Sequence, residues 1–199
     1  MKVAVICEFS GTVRDAFIKS GHDAISFDIL PTDNPGPHYQ GDVTELPQEY
    51  WKQFDLAICH PPCTYLANSG VSWLYKDEGR WDRLKEGAEL FKFMLNLPIE
   101  KVAVENPIQH KHAKALIGVE KTQIIQPWMF GHPEQKATCL WLKNLPQLTP
   151  TNNVKHILKN LSDKDRQRIH YLSPGPDRWK ERSKTFQGIA DAMAKQWGE

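Results

Sequence analysis

The sequence predicts an α/β fold of the Rossmann-like type, in which a mostly parallel sheet is covered by helices on both faces. Three observations support this prediction: short apolar runs of strand length recur along the chain, segments of helical period lie between them, and polar loops rich in Gly and Pro separate the two. Runs that are apolar throughout are typical of strands buried on both faces, as parallel strands are.

The first 60 residues predict four strands and one helix. In chain order the predicted strands are residues 3–7, residues 24–29, a short strand around Val43 and Leu46, and residues 55–59. A helical pattern follows Gly11 and stops near Gly21. Residues 31–40 contain three prolines, which predicts a rigid loop.

The rest of the chain predicts a longer helix, three more strands and a C-terminal helix. Apolar residues recur at helical period over residues 81–96. The predicted strands are residues 102–104, 123–130 and 138–142. Residues 150–182 are polar and predict an irregular segment with at most one short helix, and a last helix is predicted from about Lys184 to Trp197. The length predicts that residues 1–199 form one domain.

The composition limits the class of protein. With 25 basic and 24 acidic side chains, the chain is not a histone-like or polybasic protein. No apolar run approaches the roughly 18 residues of a membrane span, and the first predicted strand starts too close to Met1 for a signal peptide. The four cysteines are dispersed, so no disulfide framework is expected, and Cys59, His60 and Cys63 lack the second ligand pair of a zinc site. We therefore expect a cytoplasmic protein with no metal and no membrane partner; nothing in the sequence indicates an oligomeric state.

Polar groups follow most of the predicted strands, and in a doubly wound sheet ligands bind at those strand ends. In chain order they are Glu8-Phe9-Ser10-Gly11, Asp28, Gly41-Asp42, His60-Pro61-Pro62-Cys63 and Glu105-Asn106-Pro107. Gly11 permits a tight turn into a helix whose N-terminal amides are expected to face the crevice. An acid about 17 residues later, Asp28, suits a ribose diol. The other glycines of the dinucleotide fingerprint are missing, which disfavours NAD and FAD.

In this order the residues resemble those of the cytosine-C5 methyltransferases, which use S-adenosylmethionine. The motifs that resemble the family's are its Phe-x-Gly loop (Phe9-Ser10-Gly11), the acid ending its second strand (Asp28), its Gly-Asp pair (Gly41-Asp42), its Pro-Cys loop (Pro62-Cys63) and its Glu-Asn pair (Glu105-Asn106). The family's Gly-Val-Pro-Gln-Asn-Arg-Glu-Arg stretch aligns without gaps on residues 131–138, and its last glycine looks like Gly188. The compact chain is similar to small methyltransferase-like proteins of phage and prophage genomes.

The resemblance implies a cofactor, S-adenosyl-L-methionine, and a covalent reaction. The implied cofactor-binding residues are Phe9, Ser10, Gly11, Asp28, Asp42, Pro62 and Gly188. Because C5 of cytosine is a poor nucleophile, a Cys63 thiolate is expected to add to C6 and so activate C5, and the site is expected to lower the pKa of that thiol. Glu105, protonated or sharing a proton, is expected to hydrogen-bond N3 of the base. The implied substrate-binding residues are Asn106, Lys136 and Thr138.

Two segments indicate contact with nucleic acid, most of all DNA. The loop of residues 68–81 contains Trp73, Tyr75 and Arg80, and aromatic rings beside a catalytic loop can stack on an extruded or single-stranded base. Residues 155–184 contain nine cations and four acids, a surplus that suits phosphate groups. This basic segment stands where the resembled family has a much longer target-recognition region.

Departures from the family's pattern leave alternatives open. Thr12 stands where a second glycine is usual, Thr138 replaces an arginine directed at the cytosine, and only about 40 residues separate Leu145 from Gly188. A free pyrimidine nucleotide or RNA is therefore an alternative substrate, and a catalytically silent fold that binds a nucleotide or a protein is an alternative function. The loop that starts at His60 also looks partly like the Asp/Ser-Pro-Pro-Tyr loop of enzymes that methylate amino groups, but its first residue differs.

Overall fold

The fold is built on one seven-stranded sheet, which the computed structural model describes together with the rest of residues 1–199. The strands are β1 (Lys2–Ile6), β2 (Asp23–Asp28), β3 (His38–Gln40), β4 (Leu56–Cys59), β5 (Lys101–Pro107), β6 (Gln123–Ile125) and β7 (Thr138–Lys143). Their order across the sheet is β3-β2-β1-β4-β5-β7-β6. Strands β1 to β5 pair in parallel, whereas β7 is antiparallel to both β5 and β6. The prediction of a mostly parallel, Rossmann-like α/β fold is confirmed.

Helices cover both faces of this sheet. They are α1 (Thr12–Lys19), α2 (Gln48–Trp51), α3 (Arg80–Leu95), α4 (Lys111–Ile117), α5 (Asp163–Arg166), α6 (Arg168–Tyr171), α7 (Arg178–Ser183) and α8 (Gln187–Trp197). Helices α1 and α8 contribute to the apolar cluster on one face, and α2, α3 and α4 contribute to the cluster on the other. No helix of the protein combines the length and the apolar character needed to cross a membrane.

The two apolar clusters explain why the strands read as continuous apolar runs. Along β1, Val3 and Val5 point into the cluster of α1 and α8, while Ala4 and Ile6 point into the cluster of α3. All four side chains are fully buried. Complete burial of a side chain such as valine or isoleucine stabilises a fold by about 1.5–3 kcal/mol, so each residue of such a strand contributes to the core.

The edge of the sheet beyond β2 differs from the prediction. A short strand, β3, lies inside residues 31–40, where a loop was expected, and it pairs with the end of β2. The strand expected around Val43 and Leu46 is wrong, because Val43 begins a 3₁₀ turn. The Asp42 side chain accepts a hydrogen bond from the Thr44 amide, and this cap favours a helical turn over an extended strand.

The second half contains shorter strands and more helix than predicted. Of residues 123–130 only 123–125 form a strand, because a 3₁₀ turn begins at Pro127, which has no amide to donate to the sheet. Residues 150–182 contain a 3₁₀ turn, the helices α5 and α6 and most of α7, instead of at most one short helix. The Ser162 hydroxyl caps α5 by accepting from the Asp165 amide.

Candidate active site

The strand order brings two loops together at the carboxyl edge of the sheet. The chain continues from β1 to β2 on one side, and β4 lies on the other side of β1, so the order reverses between β1 and β4. Cys59, the last residue of β4, is paired with Ile6 on one side and Val104 on the other. The next residues along these strands, His60 and Glu105, are therefore neighbours.

A cleft of about 570 Å³, part of it open solvent, lies at this edge. Its lining comes from the loop after β1 (residues 7–10), the loop after β4 (60–63), the end of β5 (105–107), Lys136 and residues 182–185. Cys63 and Glu105, which are far apart in the sequence, thus face the same cleft.

The Cys63 thiol is protonated at neutral pH. Burial raises its pKa above the ordinary value for cysteine, and the negative charge of Glu105 raises it further. The positive charges of Lys136 and Arg182 act in the opposite direction but do not outweigh burial. The expectation that the site lowers the pKa of this thiol is therefore wrong.

Glu105 is paired with His60, a residue of the predicted strand-end loop to which the sequence assigned no role. His60 Nδ1 lies 3.2 Å from Glu105 Oε2. Burial alone would raise the pKa of Glu105, but the hydrogen bond and charge of His60, together with the charge of Lys136, lower it below its usual value. The carboxyl group is thus ionised and accepts a hydrogen bond from His60, which contradicts the expectation of a protonated Glu105. The pairing of β4 with β5 is the signal that could have identified His60.

Asn106 and Thr138 hold the backbone around the cleft. The Asn106 side chain is buried, and its Nδ2 donates to the Pro61 carbonyl at 2.8 Å, which ties the end of β5 to the loop that carries Cys63. Thr138 is buried outside the cleft lining and donates its hydroxyl hydrogen to the carbonyl of Lys136.

Lys136 lies in the cleft, where its ammonium group is held by backbone carbonyls. Nζ donates to the carbonyl of Arg182 at 2.9 Å and to that of Lys184 at 3.5 Å. The ammonium group also lies over the ring of Phe186, 5.8 Å from its centroid. Lys136 therefore connects the loop before β7 to the end of α7 and the residue that follows it.

Much of the basic segment of residues 155–184 is tied to the carboxyl edge of the sheet. Gln135 donates its amide to the Arg166 carbonyl at 2.6 Å, and Arg168 forms an ion pair with Glu134 at 3.1 Å. At the C-terminal end of this segment, Lys184 forms an ion pair with Asp33, in the loop after β2, at 3.5 Å. Several of the cations expected to contact phosphates are thus engaged within the protein, and the end of the segment forms one wall of the cleft.

Arg182 is a second site residue that the sequence did not identify. It lines the cleft, and its charge acts on the Cys63 thiol. Its side chain forms no ion pair within the protein, in contrast to Arg166 and Arg168. In the sequence it was one of nine similar cations, and only the tertiary fold distinguishes it.

The start of α1 differs from the expectation of free amides facing the crevice. Gly11 has a positive φ of 74°, a conformation that glycine adopts readily, and so permits the turn into α1. The carboxylate of Glu8 then accepts from the amides of Val13 at 2.6 Å and Arg14 at 3.2 Å. Burial raises the pKa of Glu8, while the charge of His60 and these two amides act in the opposite direction. The helix N-terminus is occupied by the protein's own carboxylate.

Asp28 and a buried arginine shape the end of β2. Asp28 is buried and accepts from the Leu30 amide at 3.0 Å; burial raises its pKa. Arg14 is fully buried and donates to Ser26 Oγ at 3.2 Å and to the Asn34 carbonyl at 2.9 Å. The guanidinium group thereby holds the loop after β2 against α1.

Of the residues predicted to bind a cofactor, Phe9, Ser10 and Pro62 line the cleft, Gly11 caps the start of α1, and Asp28 ends β2. Two others lie elsewhere. Asp42 is exposed, and its carboxylate binds Thr44; these hydrogen bonds lower its pKa. Gly188 packs so closely on the Phe130 carbonyl that a Cβ atom there would lie 1.9 Å from the carbonyl oxygen.

The segment after Cys63 presents aromatic rings to solvent. Trp73 and Tyr75 are 55% and 67% exposed. Arg80 is engaged internally: it donates to the Thr64 carbonyl at 3.1 Å and stacks over the Tyr65 ring, 4.9 Å from its centroid. No group of three or more His, Cys, Asp or Glu side chains is placed to hold a metal ion.

No protein-family model matches the chain, and no curated protein matches it in sequence. Among solved structures, one resembles it with 18% identity and a TM-score of 0.48; it is described as a DNA modification methyltransferase encoded within an E. coli prophage, and the match covers 82% of this chain and 56% of that one. Another is the Dnmt2 methyltransferase of S. pombe, with 16% identity, a TM-score of 0.46, and coverage of 91% of this chain and 62% of that one. This chain therefore spans less than two thirds of either neighbour, and neither likeness bears on its function.

Proposed function

We propose that the protein is an S-adenosylmethionine-dependent methyltransferase that acts on C5 of cytosine in DNA through a covalent adduct of Cys63. The observation that carries this proposal is the shared cleft of Cys63 and Glu105 at the point where the strand order reverses. A thiol and a carboxyl group that line one cleft are the two groups that addition to C6 requires, one as the nucleophile and one at N3.

The chain's own residues favour addition once the base is bound. Cys63 must lose its proton to attack, and the nearby cations Lys136 and Arg182 stabilise the thiolate. Arg182 supplies the positive charge that Thr138 does not, so a cation still faces the pyrimidine. Asn106 holds the Cys63 loop in place through its hydrogen bond to the Pro61 carbonyl, which keeps the sulfur positioned for attack.

Residues at the carboxyl ends of β1, β2 and β4 suit the cofactor. Asp28 offers a buried carboxylate to a ribose diol, and Phe9, Ser10 and Pro62 provide a lining that is apolar except for one hydroxyl. When bound, S-adenosylmethionine supplies an electrophilic methyl group. Asp42 and Gly188 are left out of this assignment, because one caps a turn and the other packs on backbone.

A trapping experiment tests the proposal. The protein is incubated with S-adenosylmethionine and oligonucleotides that contain 5-fluorocytosine, in single- and double-stranded form. Because fluorine blocks the final elimination, we expect an adduct that survives denaturation in the wild type and in Cys139→Ala, a cysteine outside the cleft, but not in Cys63→Ala. An adduct that persists in Cys63→Ala, or no adduct on either DNA, contradicts the proposal.

A free pyrimidine nucleotide or RNA is the second candidate substrate, and one observation favours it. Residues 182–185 close one side of the cleft with the protein's own chain, which reduces the space for a duplex. Methyl transfer to dCMP, CMP or an RNA oligonucleotide, with none to DNA, would support this candidate. Cofactor binding in calorimetry without transfer to any substrate would instead support a silent binding fold, which Thr12 and Thr138 leave open.

A further inference from the structure

Three cations meet beside the cleft without forming an ion pair. Lys136 and Arg182 line the cleft, and Arg178 lies four residues before Arg182 on α7, which places both arginines on one face of that helix. Burial lowers the pKa of His170, and the charges of all three cations lower it further, so each of them lies near that imidazole. None of the three has an acidic partner, in contrast to Arg168 of the same segment. Together they are called the cationic cluster below.

The protein itself does not neutralise the arginines of the cationic cluster. Like charges four residues apart on a helix repel each other. Lys136 Nζ is held beside them by the carbonyls of Arg182 and Lys184, which keeps a third positive charge at this wall. The charge of Lys136 acts on Glu105, but Glu181 of α7 is paired with Lys184. A bound anion would therefore remove a repulsion that the fold leaves in place.

The same arginines have hydrogen-bond donors to spare. The guanidinium group of Arg182 forms no hydrogen bond within the protein, and only its backbone carbonyl is engaged, by Lys136. Arg178 donates from one terminal nitrogen to the His170 carbonyl at 3.1 Å, while its Nε is buried and has no partner. A buried donor without a partner calls for an explanation. Thr185 adds a hydroxyl on the same wall of the cleft, so several donors of different kinds are available to an oxyanion.

A phosphate group suits the cationic cluster better than the carboxylate of the cofactor does. S-adenosylmethionine carries an ammonium and a sulfonium group beside its carboxylate and is positive overall, so three neighbouring cations repel the molecule as a whole. A phosphate brings only negative charge, and its oxygens match the planar fork of arginine two at a time.

The position of the cationic cluster relative to Cys63 indicates which phosphate it would bind. The charges of Lys136 and Arg182 both act on the Cys63 thiol, so these cations lie within reach of the reacting sulfur. In a pyrimidine nucleotide of the usual anti conformation, C6 is the ring atom on the side of the 5′-phosphate. A thiol placed to attack C6 therefore has the 5′-phosphate of the same nucleotide as its neighbour.

We propose that Arg182, with Arg178 and Thr185, binds the 5′-phosphate of the pyrimidine nucleotide whose C6 meets Cys63. This inference deepens the proposed function and rests on it for the identity of the base. The phosphate is a diester in a nucleic acid and a monoester in a free nucleotide, and the same donors suit both. One phosphate neutralises only part of the cationic cluster, so positive charge remains to stabilise the thiolate of Cys63.

The test compares ligands that differ only in this phosphate. Calorimetry on Cys63→Ala, which cannot form the adduct, measures the binding of dCMP and of deoxycytidine. If the phosphate is that of a free nucleotide, we expect dCMP to bind about 10- to 100-fold more tightly than deoxycytidine, the range typical of hydrogen bonds between charged groups. Adding Arg182→Gln should remove most of this difference and leave the affinity for deoxycytidine unchanged.

A second arm identifies a phosphate that belongs to DNA. Single-stranded oligonucleotides with one cytosine carry either the natural linkage or a neutral methylphosphonate at the 5′ side of that cytosine. The neutral linkage should weaken binding about 10- to 100-fold in Cys63→Ala and have little effect once Arg182→Gln is added. A phosphate-dependent gain that Arg182→Gln removes, in either arm, supports the inference and identifies the source. A gain that survives Arg182→Gln, or no gain in either arm, overturns it.

Controls separate this inference from general charge effects and from the proposed function. Arg168→Gln makes the same change in the same segment, at a side chain that is paired with Glu134, and should keep the parent's preference for the phosphate. Arg178→Gln replaces Arg182→Gln if calorimetric unfolding shows that the latter is not folded. A loss of affinity for S-adenosylmethionine instead of dCMP or DNA assigns the cluster to the cofactor and overturns the inference. The absence of an adduct with 5-fluorocytosine DNA contradicts the proposed function, whereas phosphate-dependent binding through Arg182 supports the inference whether or not an adduct forms.

Discussion

Gly188→Ala distinguishes a packing role for this glycine from the cofactor role implied by the sequence resemblance. Gly188 lies in the first turn of α8, where its amide donates to His132 Nε2 at 3.0 Å. An added Cβ would lie 1.9 Å from the Phe130 carbonyl oxygen. Carbon atoms of this kind essentially never come within 3.0 Å of another heavy atom, so α8 or the Phe130 backbone must move by roughly 1.1 Å.

The magnitude follows from two opposing effects. Overpacking of this kind costs about 1–3 kcal/mol, and a contact with backbone belongs at the upper end because a carbonyl group cannot rotate away as a side chain can. Replacing glycine by alanine in a helix returns about 0.5–1 kcal/mol. We expect a net loss of about 2 kcal/mol in the free energy of unfolding, which corresponds to a decrease in Tm of about 4–8 °C for a chain of this size.

Differential scanning calorimetry measures this effect, and Gly87→Ala is the matched control. Gly87 lies inside α3, where a new Cβ would meet Leu66 at 3.6 Å, an ordinary contact. That variant should gain about 0.5–1 kcal/mol. At a temperature where both variants are folded, their affinity for S-adenosylmethionine should equal that of the wild type. A Gly188→Ala protein of unchanged Tm and weakened cofactor binding would refute the packing argument.

Further predictions concern the cleft and the loop after β2. Cys63 should be alkylated by iodoacetamide before the other three cysteines. In Glu105→Gln the pH profile of its alkylation rate, followed by mass spectrometry, should shift to lower pH, because the charge that raises the thiol pKa is gone. An identical profile would contradict this. The folded-state pKa of Glu105 lies below the unfolded value of about 4.3. The ionised carboxylate therefore stabilises the folded protein above a pH of about 4.3, and this contribution to stability is lost as the pH falls through the folded pKa. Urea midpoints between about pH 5 and 3 should therefore vary less in Glu105→Gln. Asp28→Asn should weaken S-adenosylmethionine binding about 10- to 100-fold in calorimetry, whereas Asp42→Ala should only cost about 1 kcal/mol of stability; equal losses of affinity would count against the assignment. Arg14→Met should lower the free energy of unfolding by about 2–4 kcal/mol, since it leaves buried acceptors unpaired, and a loss below about 1 kcal/mol in urea titration would show that water replaces the guanidinium.

The central strands were predictable because both of their faces are buried, which leaves a local signal in the sequence. The edge strand β3 was not, because His38–Gln40 is short and polar and becomes a strand only through its pairing with β2. Similarly, the Asp42 cap that turns Val43 into a 3₁₀ turn depends on a side-chain hydrogen bond that apolar periodicity does not encode.

The meeting of Cys63 and Glu105 in one cleft was expected from the rule that parallel strands end at one edge. The direction of the shift in the Cys63 pKa was not expected, because it depends on burial and on the charge of Glu105, and a sequence motif shows neither. The roles of His60 and Arg182 were missed for a related reason. Strand pairing brings His60 to Glu105, and the fold of residues 155–184 brings Arg182 to the cleft.

Both ends of the sheet are formed by strands of three residues, and this bears on how the protein avoids aggregation. β3 and β6 each offer few unpaired amides and carbonyls to another chain. A proline lies close to each of them, Pro37 directly before β3 and Pro127 two residues after β6, and proline cannot extend a ladder. The longer apolar strands, which could pair with another chain, all lie inside the sheet. The two edges therefore expose little unpaired backbone for a second copy of the protein to join.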